Sequence, residues 1–260
     1  MHGVRPEATE PLRRIELAAR EVFAPWLSCV LVTGSVLKDD FVPGYSDLDV
    51  RVFLAIEALQ GTDGPPRLDL ALAFRERIGD LRPAAHGFSE FQVNFRPFGD
   101  PASGRDLPPG SYRLLYGEPP TFLGEITEQE LLKSASCALS DVEGELRRWT
   151  AVVIDRTDDR LDQVVRGIGA VLRKSAYSAG VLLTGTPFRV WASDLEALDP
   201  VLDTAGLEAV TAFFGLVRRW PKRGLDPDFH RALLHQGFEA MVCLQAWWAM
   251  SRGRLALVSA

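Results

Sequence analysis

The chain has 260 residues, 47% of them apolar and 25% charged, the ordinary profile of a globular protein with one large or two modest domains. A formal net charge of −6 at pH 7 argues against a general nucleic-acid binder, which would be basic; it suits a cationic substrate, although mild acidity by itself also aids solubility. Cys29, Cys137 and Cys243 are odd in number and spaced for neither a disulfide nor a metal, the start lacks the apolar core of a signal peptide, and no apolar run approaches the ~18 residues of a membrane span, so the expected setting is the reducing cytoplasm with no membrane partner.

Along the chain, Glu10–Phe23 has Leu12, Ile15, Ala19 and Val22 at helical spacing, and Pro25 ends the pattern. Leu27–Thr33 and Leu48–Leu54 are short apolar runs of strand length. Gly61–Pro66 reads as a loop and Leu68–Ile78 as a helix. Phe88–Phe95, "FSEFQVNF", alternates apolar and polar residues, the period of a half-buried strand. The Pro- and Gly-rich segment 100–110 is a loop, and Tyr112–Tyr116 a fourth strand. From Thr127 the pattern turns helical. "TEQELLKSASCALSDVEGEL" opens with a capping box, Thr127 followed by Glu130, and helical stretches follow at Leu161–Leu183, Gly206–Trp220 and Phe229–Met250. The expected fold is α+β: residues 1–124 with a mixed sheet, then a helical bundle over 125–260.

One stretch carries chemistry: "VLVTGSVLKDDFVPGYSDLDVRVFL", Val30–Leu54. Asp47 and Asp49 lie one position apart in a strand pattern, so both side chains leave the same face while Leu48, Val50 and Val52 face the core. Two adjacent carboxylates repel, and a hard divalent cation such as Mg²⁺ would relieve that repulsion. Taken alone, an Asp-x-Asp reads more readily as a solvated turn. Three neighbours weigh against that. Gly34-Ser35 closes the preceding strand and can bring backbone N–H groups and a hydroxyl to phosphate oxygens. Pro43, Gly44 and Ser46 supply a turn before the pair. Glu90, heading the next strand, adds a third acid, and two metal ions held by three acids are the arrangement for in-line nucleotidyl transfer.

These residues resemble the nucleotidyltransferase superfamily with the DNA polymerase β-like fold: Gly-Ser, about ten residues, then Asp-x-Asp in a strand. The Pro-x-x-Ser-Asp-x-Asp form at Pro43–Asp49 is similar to the aminoglycoside adenylyltransferases of the streptomycin/spectinomycin branch. "RLLYGEP", Arg113–Pro119, resembles the strand that closes their catalytic domain, and the helical second half resembles their substrate-covering bundle. The resemblance implies that Gly34, Ser35 and Ser46 contact nucleotide phosphates. It implies that Asp47, Asp49 and Glu90 bind two Mg²⁺ ions and that Glu90 is the base for the acceptor hydroxyl, with Gln92 and Asn94 as rivals on the same strand. In "LLTGTPFRVWASDLEAL", Arg189 stands about one position from where this branch has a phosphate-binding Lys; the other reading is a solvated loop Arg. Arg51 shares the Asp face and is read as a structural counter-ion. Asp158, Asp159 and Asp162 are candidates for an acceptor-facing wall.

The implied activity is Mg²⁺-dependent transfer of AMP from ATP to a hydroxyl of a small molecule such as an aminoglycoside-like antibiotic. The alternative is a protein-modifying or antitoxin-type nucleotidyltransferase whose helical domain binds a partner protein. A nucleotide-binding regulatory module without turnover is disfavoured by an intact set of acids.

Overall fold

The computed structural model describes residues 4–62, 64–100, 107–155, 161–221 and 227–255. The chain divides into two compact units, Met1–Ile126 and Thr127–Ala260, the division falling just past the composition change after Gly124.

The first unit is built on one four-stranded sheet in the order β3-β2-β1-β4. Its strands are β1 (Leu27–Thr33), β2 (Leu48–Leu54), β3 (Phe91–Pro97) and β4 (Tyr112–Gly117). β1 runs antiparallel to both β2 and β4, whereas β2 and β3 are parallel, so the sheet is mixed. The near-continuous apolar sequence of β1 follows from its central place. Val30 and Val32 join one core, while Cys29 and Leu31 join a second core on the other face. Burial there pushes the Cys29 thiol up to about 12, as expected of an inert core cysteine.

The first core is closed by α1 (Pro6–Phe23) and α2 (Leu68–Arg77). α1 starts four residues earlier than its apolar spacing suggests, because Pro6 is favourable at the first helical position, where its missing N–H has no intrahelical role. Leu12, Ile15, Ala19 and Phe23 form its fully buried stripe. Phe23 meets Phe74 of α2 and Phe95 of β3 at ring-centroid separations of 5.6 and 5.3 Å, and Phe74 meets Phe95 at 5.5 Å. These three rings tie the edge strand β3 to both helices.

β3 begins at Phe91, three residues later than its alternating pattern, because Phe88 and Ser89 still belong to a turn. Phe88 N donates to Pro83 O at 3.0 Å and Ser89 N to Ser46 O at 3.0 Å. β4 ends at Gly117, where φ is +76° and a Cβ would stand 2.0 Å from the carbonyl oxygen of Ser28. Only glycine lets β4 lie so close to β1 there.

The second unit is helical over its described residues. It comprises α3 (Glu128–Ser140), α4 (Val142–Asp155), α5 (Leu161–Thr184), α6 (Pro187–Ala192), α7 (Asp199–Thr204), α8 (Glu208–Val217) and α9 (Pro227–Leu255). The capping box forms as written: Glu130 N donates to Thr127 Oγ1 at 3.2 Å, and Thr127 N donates to Glu130 Oε2 at 2.9 Å. The helical stretch after it is divided in two at Asp141. Ser136 and Ser140 hydroxyls donate back to carbonyls four residues earlier, a pattern that bends helices near such a break. α5 packs against α3, α4, α6 and α9, and its run Ser175-Ala176, Ser178-Ala179-Gly180 is small enough for close approach. Among the described residues, no helix is long and apolar enough to cross a membrane.

Candidate active site

Gly34 follows β1 directly with φ +83° and opens a single 3₁₀ turn, Gly34–Leu37, after which Lys38 N donates to Ser35 O at 3.2 Å. Thr33 is the register partner of Asp49, so Asp49 is the diagonal neighbour of Gly34 across the β1–β2 pair. A Cβ on Gly34 would stand 2.5 Å from Asp49 Oδ2, inside contact distance. The glycine therefore has two physical reasons: a left-handed backbone, and room for the Asp49 carboxylate. Ser35 beside it is buried, at 8% exposure.

The turn before β2 is held by its own side chain. Ser46 is buried; its Oγ accepts from Val42 N at 2.9 Å, and its backbone N donates to Val42 O at 2.9 Å. Gly44 N donates to Gly87 O at 2.7 Å, which links this turn to the one before β3. Ser46 thus has a structural task, fixing the turn that delivers Asp47, besides whatever its hydroxyl hydrogen contacts.

Asp47 and Asp49 are half-buried, while Leu48, Val50 and Val52 between and beyond them are fully buried in the first core, so the alternation expected of β2 is what the strand adopts. The parallel register with β3 sets Leu48 opposite Phe91 and Asp49 opposite Gln92. Leu48 N also donates to Glu90 O at 3.0 Å, which continues the ladder one residue below β3. Asp47, Asp49, Glu90 and Gln92 therefore share one face and one end of the β2–β3 pair. Glu90 is exposed and lies immediately before β3, not within it.

The repulsion between the acids is offset by hydrogen bonds. Asp47 Oδ1 accepts from Ser89 Oγ in a short contact. Asp47 Oδ2 accepts from Gln92 Nε2 at 2.8 Å, and the same Nε2 donates to Glu90 Oε1 at 2.6 Å. One amide nitrogen joins the two carboxylates. Ser89 and the joining role of Gln92 were missed in the sequence. The signal that would have found them is the strand start: with β3 beginning at Phe91, residue 92 falls on the face and register of Asp49.

In donor chemistry the Asp47–Asp49 pair fits a hard divalent cation, being two carboxylates on one strand face. Among the described residues, no three His, Cys, Asp or Glu side chains stand together as a ready-made metal cage. Glu90 is directed to Gln92 instead. Arg51 lies on the same face of β2, between Leu31 and Asn94 in register.

The remaining candidates belong to the second unit. Arg189 is exposed on α6, so its backbone is helical where a loop was one reading, and its carbonyl accepts from Ser193 Oγ at 2.8 Å. Asp162 of α5 is bonded to His230 Nε2 of α9. Asp158 and Asp159 lie outside the described residues. No protein-family model matches the chain, and no curated protein matches it as a relative.

Proposed function

We propose that the first unit is a nucleotidyltransferase domain of the DNA polymerase β-like fold, and that the protein transfers AMP from ATP to a hydroxyl of a small acceptor such as an aminoglycoside-like antibiotic. The observation that carries this reading is the shared face of Asp47, Asp49 and Glu90, with Gly34 held open directly against Asp49. The mixed sheet and the helical second unit are compatible with it, and the Gly-Ser and Asp-x-Asp resemblance supplies its chemical direction.

Asp47 and Asp49, joined by Glu90, would hold Mg²⁺. When bound, the cation neutralises charge on the phosphate oxygens and on the leaving pyrophosphate. The backbone at Gly34-Ser35 would approach the phosphates without a side chain in the way. Glu90, the most exposed acid of the set, would take the proton of the acceptor hydroxyl as that oxygen attacks the α-phosphorus. Arg189 would add a guanidinium contact to the phosphates.

The test is calorimetric titration of ATP with Mg²⁺ into the full chain. Binding should be present in the wild type and lost or severely weakened in Asp47→Asn and Asp49→Asn. Asp49→Asn should be at least as thermally stable as the wild type, since it removes one of two repelling charges, whereas Asp47→Asn also weakens the bonds that Asp47 accepts from Ser89 and Gln92. Unchanged Mg²⁺-dependent binding in either variant would reject the assignment.

A further inference from the structure

The Gln92 amide lies between two of the proposed ligands and uses both of its N–H groups on them. Nε2 reaches Asp47 Oδ2 at 2.8 Å and Glu90 Oε1 at 2.6 Å. An amide NH₂ has two hydrogens, so both are spent on acids. The other oxygen of Asp47 accepts from Ser89 Oγ. A carboxylate oxygen has about two acceptor positions, so each of these oxygens keeps capacity for a further partner. Asp47 is thereby held from both sides with lone pairs to spare. Glu90, an exposed side chain ahead of an edge strand, is restrained by the same amide.

The backbone makes this arrangement specific to position 92. Gln92 is the register partner of Asp49 and sits two residues after Glu90, hence on the same face. The apolar residues around it, Phe91 and Val93, pack into the first core and fix which way residue 92 points. A residue without two donors at this place could not hold both acids.

We propose that Gln92 is a positioning residue for the cation site: it holds Asp47 and Glu90 in one ligating arrangement through its two amide N–H groups, with Ser89 completing the grip on Asp47. The inference rests on the reading of Asp47 and Asp49 as cation ligands. Hydrogen-bonding partners of ligating carboxylates commonly govern metal affinity, by roughly 10–100-fold when removed. A disordered Glu90 must be gathered in anew at each binding event, whereas a tethered one is already near Asp47.

The experiment measures Mn²⁺ binding to the nucleotide-free full chain by electron paramagnetic resonance of the free ion. Gln92→Met keeps the length and removes both donors; Gln92→Thr keeps a good strand former on the exposed edge and removes the reach. Each should weaken Mn²⁺ binding by roughly 10–100-fold while the chain keeps a cooperative thermal transition with at most a small fall in its midpoint. Placed on a Glu90→Gln background, Gln92→Met should cost less than it does alone, because part of its effect runs through Glu90. A loss of general structure would produce no such coupling. Wild-type or tighter Mn²⁺ affinity in Gln92→Met and Gln92→Thr, with Asp49→Asn losing the ion, would overturn the role of Gln92 and leave the cation site standing. Wild-type affinity in Asp49→Asn as well would remove the cation site itself, and this inference with it.

Discussion

Gly34 shows how one position can serve both backbone and chemistry. Its φ of +83° is unfavourable for any residue with a side chain, and its missing Cβ leaves the space filled by Asp49 Oδ2. Gly34→Ala meets both penalties at once. It should lower stability by about 1–3 kcal/mol, the usual cost of a non-glycine residue held in that backbone region, and should displace Asp49. Chemical denaturation reports the first effect and Mn²⁺ affinity the second; an alanine variant with wild-type values for both would mean that the Gly34–Asp49 approach has no consequence. Ser46 carries a related lesson. As part of Pro-x-x-Ser-Asp-x-Asp it reads as a phosphate contact, yet its buried hydroxyl also accepts from Val42 N. A short motif does not distinguish a residue that touches a ligand from one that builds the turn beneath it.

Strands β1 and β2 were legible to the residue, because each is a seven-residue apolar run bounded by turn residues, and β2 breaks its run only where its second face bears Asp49 and Arg51. The start of β3 was not. Phe88 is almost fully buried and reads as strand, but Ser89 and Glu90 are two polar residues in a row, so strict alternation holds only over 91–95, and that break marks the turn in which residues 88–89 bond to Pro83 and Ser46. The start fixes the chemistry. With β3 beginning at Phe91, Glu90 lies opposite Asp47 and Gln92 opposite Asp49, which makes Glu90 the base candidate and Gln92 the linker between acids. Glu90→Gln keeps size and polarity but cannot accept the proton, so kcat should fall by roughly 10²–10⁴ while ATP binding changes less. Single-turnover kinetics with saturating ATP separate the two. A fully active Glu90→Gln variant would place the base elsewhere on this face.

The two units raise different questions. The first holds every acid of the proposed site, and the second holds Arg189 and Asp162 on a helical framework. Asp162 was a candidate for the acceptor wall because it lies in an acidic run; its bond to His230 joins α5 to α9, a tertiary contact between residues 68 apart that no local pattern encodes. A chain ending at Ile126 should retain cation binding, because Gly34, Asp47, Asp49, Glu90 and Gln92 all precede that point, and should lose transfer, because proximity of acceptor and nucleotide supplies several kcal/mol of barrier reduction. Arg189→Ala in the full chain should weaken ATP binding about tenfold, the usual worth of a charged hydrogen bond to phosphate. Calorimetry with ATP and Mg²⁺ checks both; equal ATP affinity in wild type, Arg189→Ala and the truncated chain would assign the nucleotide to the first unit alone.

The central claim is that the protein moves the α-phosphoryl group of ATP with its nucleoside attached. Parallel incubations of the full chain with ATP labelled on the α-phosphate or on the γ-phosphate, with Mg²⁺ and a panel of aminoglycosides alongside a cell extract, test it most directly. The account predicts that the α-label passes to an acceptor, that the γ-label appears as pyrophosphate, and that Asp49→Asn and removal of Mg²⁺ each abolish both. Transfer of the γ-label to the acceptor, or α-label transfer undiminished in Asp49→Asn, would contradict it.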